Sequence, residues 1–278
     1  MIRKTRAAAT LLILVAAAAV VWQYSVEPVA QGPASSVLHR GLLTDPETVD
    51  PQRVRSTQAG DILRDIGEGL LGYSATGDLV PGAADEWSLS ADGLVYTFHI
   101  REGARWSNGE PLTAEHFAFS LRRLVDPATA ALYSQMVGDI VNAREIIAGD
   151  VPASELGVEA VDDNTLVIRL ERPVPYLLSL LTYPSTFPVH PDSIALHGDE
   201  FTRPGNLLSN GAYKLDSWEP GSVLSLSRNE HYWNNQNTAI DEVRHHVVTQ
   251  EMAQLNRYRA GELHTTGSVP PDAFQQVR

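Results

Sequence analysis

Cysteine is absent from all 278 residues, which removes disulfide frameworks, thiolate nucleophiles, thiolate-bound metals and any cysteine-borne lipid anchor. The redox compartment stays open on that count. Positive charge is scarce too: 21 Lys and Arg stand against 34 Asp and Glu, a net charge of −13. Such a chain is a poor match to nucleic acid or to an anionic membrane surface. It also lacks an apolar run of full membrane length, since the stretch from Ala7 to Trp22 covers 16 residues and a crossing helix needs about 20. What is present is a chain 43% hydrophobic, long enough to bury a sizeable core and to form about two domains.

Arg3, Lys4 and Arg6 stand directly before the apolar run. Residues 1–30 therefore read as a secretory signal, or as a retained N-terminal anchor, followed by a tether. Discounting that segment, which holds three basic residues and Glu27, leaves a still more acidic body that folds outside the cytoplasm. Residues 27–36 are polar, contain Pro and Gly, and show no periodicity, so folding is expected to begin near Val37.

Ile62, Ile66, Leu70 and Leu71 recur at the spacing of a buried helix face, limited by Gly67, Gly69 and Gly72. LVYTFHI (94–100) alternates as a strand, with Leu94, Tyr96, Phe98 and Ile100 on one face. Asn108-Gly109 marks a turn, and Thr113 stands where a helix N-cap belongs. The helix after it gathers Phe117, Leu121, Leu124 and Val125 on one side and stops at Asp126-Pro127. A second helix is expected over 135–148, ended by Gly149. Strands are expected at 165–170 and 243–248, a hairpin over 213–227 around Glu219-Pro220-Gly221, and a short helix over 254–260. Five prolines between Pro173 and Pro191 make that stretch an irregular connection or a domain crossing, with a boundary near residue 190. Strands mixed with helices point to an α/β chain.

No catalytic constellation emerges. His245 and His246 are adjacent, so a strand would send them to opposite faces, and no glutamate-bearing i, i+4 histidine pair supports a zinc hydrolase. His99 and His116 lie on regular elements without partners at ligand spacing. There is no G-x-S-x-G elbow and no glycine-rich nucleotide loop, and Asp162-Asp163 sit at a turn. Trp87, Trp106, Trp218 and Trp233 read as partly buried anchors beside turns. Neither catalytic nor metal-binding residues are assigned, and no cofactor is expected.

Specificity comes from ordered words of sequence: GLLTDPETVDP (41–51), DIGEGLLGY (65–73), the long run 79–127, AVDDNTLVIRLERPVPYLLSLL (160–181), SNGAYKLDSWEPG (209–221), NEHYWNN (229–235) and NRYRAGEL (256–263). In this order they resemble the extracellular solute-binding proteins of peptide ABC importers, most of all the oligopeptide-binding branch, over residues 37–278. The resemblance implies an incomplete α/β periplasmic binding protein-like fold of type II, the Venus-flytrap kind. Residues 31–69 would open the large lobe, 70–190 form a smaller inserted domain, and 191–278 resume the large lobe. The family's second ligand-binding lobe follows such a point, and it has no counterpart before Arg278, so weak or absent peptide binding by this chain alone is expected.

The resemblance also implies a monomer in the periplasm, or on the extracytoplasmic face of the inner membrane. It would be a binding protein and not an enzyme, taking oligopeptides as extended strands and passing them to a membrane permease. Another small solute, a dipeptide, sugar or metal chelate, is the alternative cargo. Pairing with a peptide backbone gives affinity without reading sequence. Carried over by position, the main-chain contacts fall on Arg55, Ser56 and Thr57, and a peptide-facing aromatic falls on Tyr133. Arg55 departs from the family's glutamate there, which would disfavour basic peptide side chains nearby.

Overall fold

The computed structural model describes residues 36–276. The expected export segment and most of its tether lie outside them, and no described helix is long and apolar enough to cross a membrane. Strand β1 (Val37–Leu42) leads to helix α1 (Thr57–Ile66). The chain then forms β2 (Leu71–Tyr73), β3 (Leu79–Pro81), β4 (Ala84–Leu89), β5 (Val95–Ile100) and α2 (Ala114–Val125). Next come α3 (Ala143–Ala148), β6 (Val158–Ala160), β7 (Thr165–Arg169), α4 (Leu177–Leu180) and α5 (Pro191–His197). The hairpin β8 (Tyr213–Glu219) and β9 (Val223–Arg228), strand β10 (Glu242–Val247) and α6 (Glu251–Arg259) complete the order.

Three sheets result. One runs β1-β10-β9-β8, with β1 parallel to β10 and the other pairs antiparallel; a second is the β2-β3 pair; the third runs β4-β5-β7-β6 and is antiparallel throughout. The alternation read from 94–100 is realised in β5, where Tyr96, Phe98 and Ile100 are buried and the intervening residues are not. Helix α2 covers that face with Phe117, Leu121, Leu124 and Val125, all buried. Burial of so large an apolar set is the main driving force for this half of the fold.

Two expectations are corrected. The helix expected over 135–148 is a 3-10 turn at Ser134–Val137, a break, and then α3. The break has a cause: Val141 donates to the Arg169 carbonyl and Ile140 bridges Leu170, so these residues lengthen the β7 edge instead of continuing a helix. Asn142, at φ 64°, turns the chain from that edge into α3. The helix carrying Ile62 and Ile66 ends at Gly67, whose N–H caps the Leu63 carbonyl, so Leu70 and Leu71 belong to the following segment and β2.

Two hydrophobic clusters form. The fully buried members of the first lie within residues 70–181, with Leu208 packed against it; the second joins Leu42, Val49, Val54 and the inner face of α1 to Leu215, Leu224, Leu226 and Val243. Polar bolts tie one to the other. Buried Asp50 meets Arg123 of α2 at 2.6 Å, and Arg123 also donates to Gln52 Oε1 at 2.6 Å. Gln52 Nε2 donates in turn to the Phe187 carbonyl at 2.9 Å. At Gly211 the chain passes so close to α1 that a Cβ would lie 2.7 Å from the Gly67 nitrogen, which excludes any side chain there.

Candidate functional site

The chain enters α1 through Ser56, an extended N-cap (φ −99°, ψ 153°) that accepts from the Ala59 N–H, and Thr57 opens the helix. Glu47 closes over this corner. Its carboxylate accepts the Arg55 and Ser56 N–H groups and the Ser56 hydroxyl. Burial works against the Glu47 charge, but these hydrogen bonds outweigh it and hold its carboxyl below the ordinary value. Of Arg55, Ser56 and Thr57, two main-chain groups are left: among the described residues nothing pairs with the Arg55 carbonyl or the Thr57 N–H. In extended backbone the C=O of one residue and the N–H two residues on point to the same edge. The segment therefore offers one acceptor and one donor side by side, the pattern that an added strand takes up.

That edge borders a cavity of about 120 Å³ whose wall includes Arg55, Ser56, Thr57 and Tyr133. All four residues singled out in the sequence thus come together, although Tyr133 is far from the others along the chain. The loop that carries Tyr133 follows a 3-10 turn ended by Ala130 in the left-handed region, at φ 54°. Tyr183 stands against it, ring centroids 5.4 Å apart and planes at 63°. Burial, with the Tyr133 hydroxyl beside it, pushes the Tyr183 phenol up, so that ring stays a neutral hydrogen-bonding group.

Sequence reasoning missed Tyr183, Asp61 and Arg64, which also line the wall. Thr57, Asp61 and Arg64 follow the i, i+4, i+7 spacing of the α1 face opposite its buried one, a signal present in the sequence. Tyr183 lies in the proline-rich run that reads only as irregular.

Arg64 also lines a second cavity, of about 270 Å³, with Glu68 and Tyr232. There Tyr232 Oη donates to Glu68 Oε1 at 2.6 Å and Trp233 Nε1 to Oε2 at 2.7 Å, while the Arg101 guanidinium lies 3.8 Å from the Trp233 ring centre. Burial raises the Glu68 carboxyl above its ordinary value despite those donors and Arg101. His245 and His246 do diverge: the first is buried at 3.1 Å from Asp65 and the second meets His39 at 2.9 Å. No group of three or more metal-ligating side chains is placed to hold an ion among the described residues.

Comparison with known proteins bears on the family and the fold. Residues 78–278 match the family model described as bacterial extracellular solute-binding proteins, family 5 Middle. The periplasmic oligopeptide-binding protein OppA of Salmonella typhimurium is 38% identical over 99% of this chain and 51% of its own length. The probable deoxycholate-binding periplasmic protein YgiS of Escherichia coli is 39% identical over 80% of this chain and 42% of its own. Among solved structures, Haemophilus influenzae OppA in complex with RPPGFSPFR superposes with a TM-score of 0.85 at 36% identity, over 89% of this chain and 49% of that one. The chain thus spans about half the length of the relatives it matches, with the type II solute-binding fold of those neighbours. On the family match and these identities together, the chain belongs to the bacterial extracellular solute-binding proteins of family 5.

Proposed function

We propose that this chain forms part of the extracytoplasmic substrate-binding component of an ABC importer, which holds oligopeptides as extended strands and hands them to a membrane permease. The observation that carries the reading is the pair of unspent main-chain groups, the Arg55 carbonyl and the Thr57 N–H, at the rim of a cavity walled by Tyr133 and Tyr183. Backbone pairing recognises any peptide, and tyrosines supply broad apolar area with a hydrogen-bonding tip, so sequence tolerance follows. In this reading residues 1–30 direct export and 70–190 are an inserted domain between two parts of a larger lobe, 31–69 and 191–278. The separation of the two hydrophobic clusters supports that division. The protein acts as a monomer without catalysis.

Arg55 and Thr57 are exposed and Tyr183 is 37% exposed, so contacts there compete with water and weak binding is expected. A nuclear magnetic resonance titration of the chain with short peptides of mixed sequence should shift the Thr57 amide and the Tyr133 ring together. Peptides leaving both signals unmoved at millimolar concentration, or deoxycholate moving them instead, would replace oligopeptides by another solute class.

A further inference from the structure

We infer that the cavity beside Arg55 is a subsite for an acidic peptide side chain, with Arg55 as the residue that selects it. The inference rests on the peptide-binding reading above and goes beyond it, since backbone pairing carries no side-chain preference. Four charged groups surround the corner. Glu47 turns both carboxylate oxygens to the Arg55 and Ser56 N–H groups and the Ser56 hydroxyl, so it keeps its charge but is directed at the start of α1 and not at the Arg55 guanidinium. Asp61 faces Arg64 at 3.5 Å on the same helix, each half exposed. The Arg55 guanidinium has no hydrogen-bond or ion-pair partner among the described residues, which leaves it the unspent charge on the cavity wall.

The placement decides which carboxylate it would meet. Arg55 supplies the main-chain acceptor of the pairing edge and, from the same residue, the side chain. A side chain on one strand lies beside the cross-strand residue of its partner, so Arg55 is positioned to read a residue within the peptide, not its terminus. A guanidinium matches a carboxylate with a two-pronged, charge-assisted hydrogen bond, and the hydroxyls of Tyr133 and Tyr183 on the same wall add neutral donors. A lysine or arginine at that position would meet Arg55 as a like charge, and glutamine would lose the ionic part of the bond. The preference is therefore acidic over neutral over basic.

The test is a titration of the chain with Ala-Glu-Ala, Ala-Gln-Ala and Ala-Lys-Ala, all acetylated and C-terminally amidated, following the Thr57 amide and the Arg55 Nε–H. The Glu peptide should bind about fivefold tighter than the Gln peptide at low salt, a gap that shrinks at high salt as surface charges are screened and closes in Arg55→Gln. A Gln peptide with a free C-terminal carboxylate serves as control. If it gains as much as the amidated Glu peptide, the terminus is the occupant and the inference is overturned. Equal affinity for the Glu and Gln peptides, or a preference that survives Arg55→Gln, overturns it while leaving backbone recognition standing. Failure of all the peptides to move Thr57 removes both readings.

Discussion

Arg123 shows what one residue costs to remove when its partner is buried. Its guanidinium makes bonds of 2.8 and 2.6 Å to the two oxygens of Asp50, which is 2% exposed. Such a pair adds little net stability over apolar packing, because both charges have been taken out of water. Breaking it from one side is another matter. Arg123→Met would take from the buried Asp50 carboxylate its two-pronged partner, leaving it the Gln52 N–H and the more distant Arg53, and would take the donor from Gln52 Oε1, with an expected loss of about 3–5 kcal/mol. The double variant Arg123→Met with Asp50→Leu should recover much of that, since no charge is left buried. Urea denaturation midpoints of the two variants check this, and equal losses in both would show that the segment around Asp50 depends on shape and not on charge.

At the scale of elements, the start of α2 titrates. Thr113 N–H donates to His116 Nδ1 at 2.9 Å, which requires that nitrogen to be unprotonated. Burial, then the neighbouring His190, lowers the His116 imidazole from 6.5 to about 4. A base depressed in the folded state binds fewer protons there than in the unfolded chain, so stability falls as pH drops from 6.5 through about 4. His116→Asn keeps an acceptor for the Thr113 N–H and removes the titration. The drop in urea midpoint over that window should therefore be shallower in the variant, and an unchanged slope would assign the acid sensitivity to other groups.

The same scale shows what the sequence could tell. Alternation in β5 and the face of α2 were legible because each is a local period imposed by one buried side. The expected helix over 135–148 failed because Ile140 and Val141 find partners at Leu170 and Arg169, a pairing that no local window contains. Strand β1 escaped for a related reason: it buries little more than Leu42 and its neighbour Gly41, and it is held by β10 some 200 residues away. Of the candidate site, Arg55, Ser56, Thr57 and Tyr133 came from resemblance, whereas Tyr183 depends on how an aperiodic proline-rich run folds back.

Over the whole of the described chain, Glu68 is the point where separate stretches converge. It follows α1 directly, accepts from Tyr232 and Trp233, and exchanges two bonds with Asn210: its N–H donates to Asn210 Oδ1, and Asn210 Nδ2 donates to its carbonyl. Arg101 reaches the same knot from the end of β5 through the Trp233 ring. The two hydrophobic clusters are thereby linked through a carboxylate that burial keeps above its ordinary 4.5. An acid raised in the folded state retains its proton there after the unfolded chain has lost it, so this group lowers stability as pH rises from about 4.5 through its folded value. Glu68→Gln removes the charge but turns an NH₂ toward one of the two ring-bearing donors, leaving that donor unpaired at a cost of about 1–3 kcal/mol. If the knot couples the clusters, tryptophan fluorescence and far-ultraviolet dichroism should follow one transition in the parent chain and two in Glu68→Gln. Coincident transitions in the variant would place the coupling elsewhere, among other bonds such as the network of Asp50, Gln52 and Arg123.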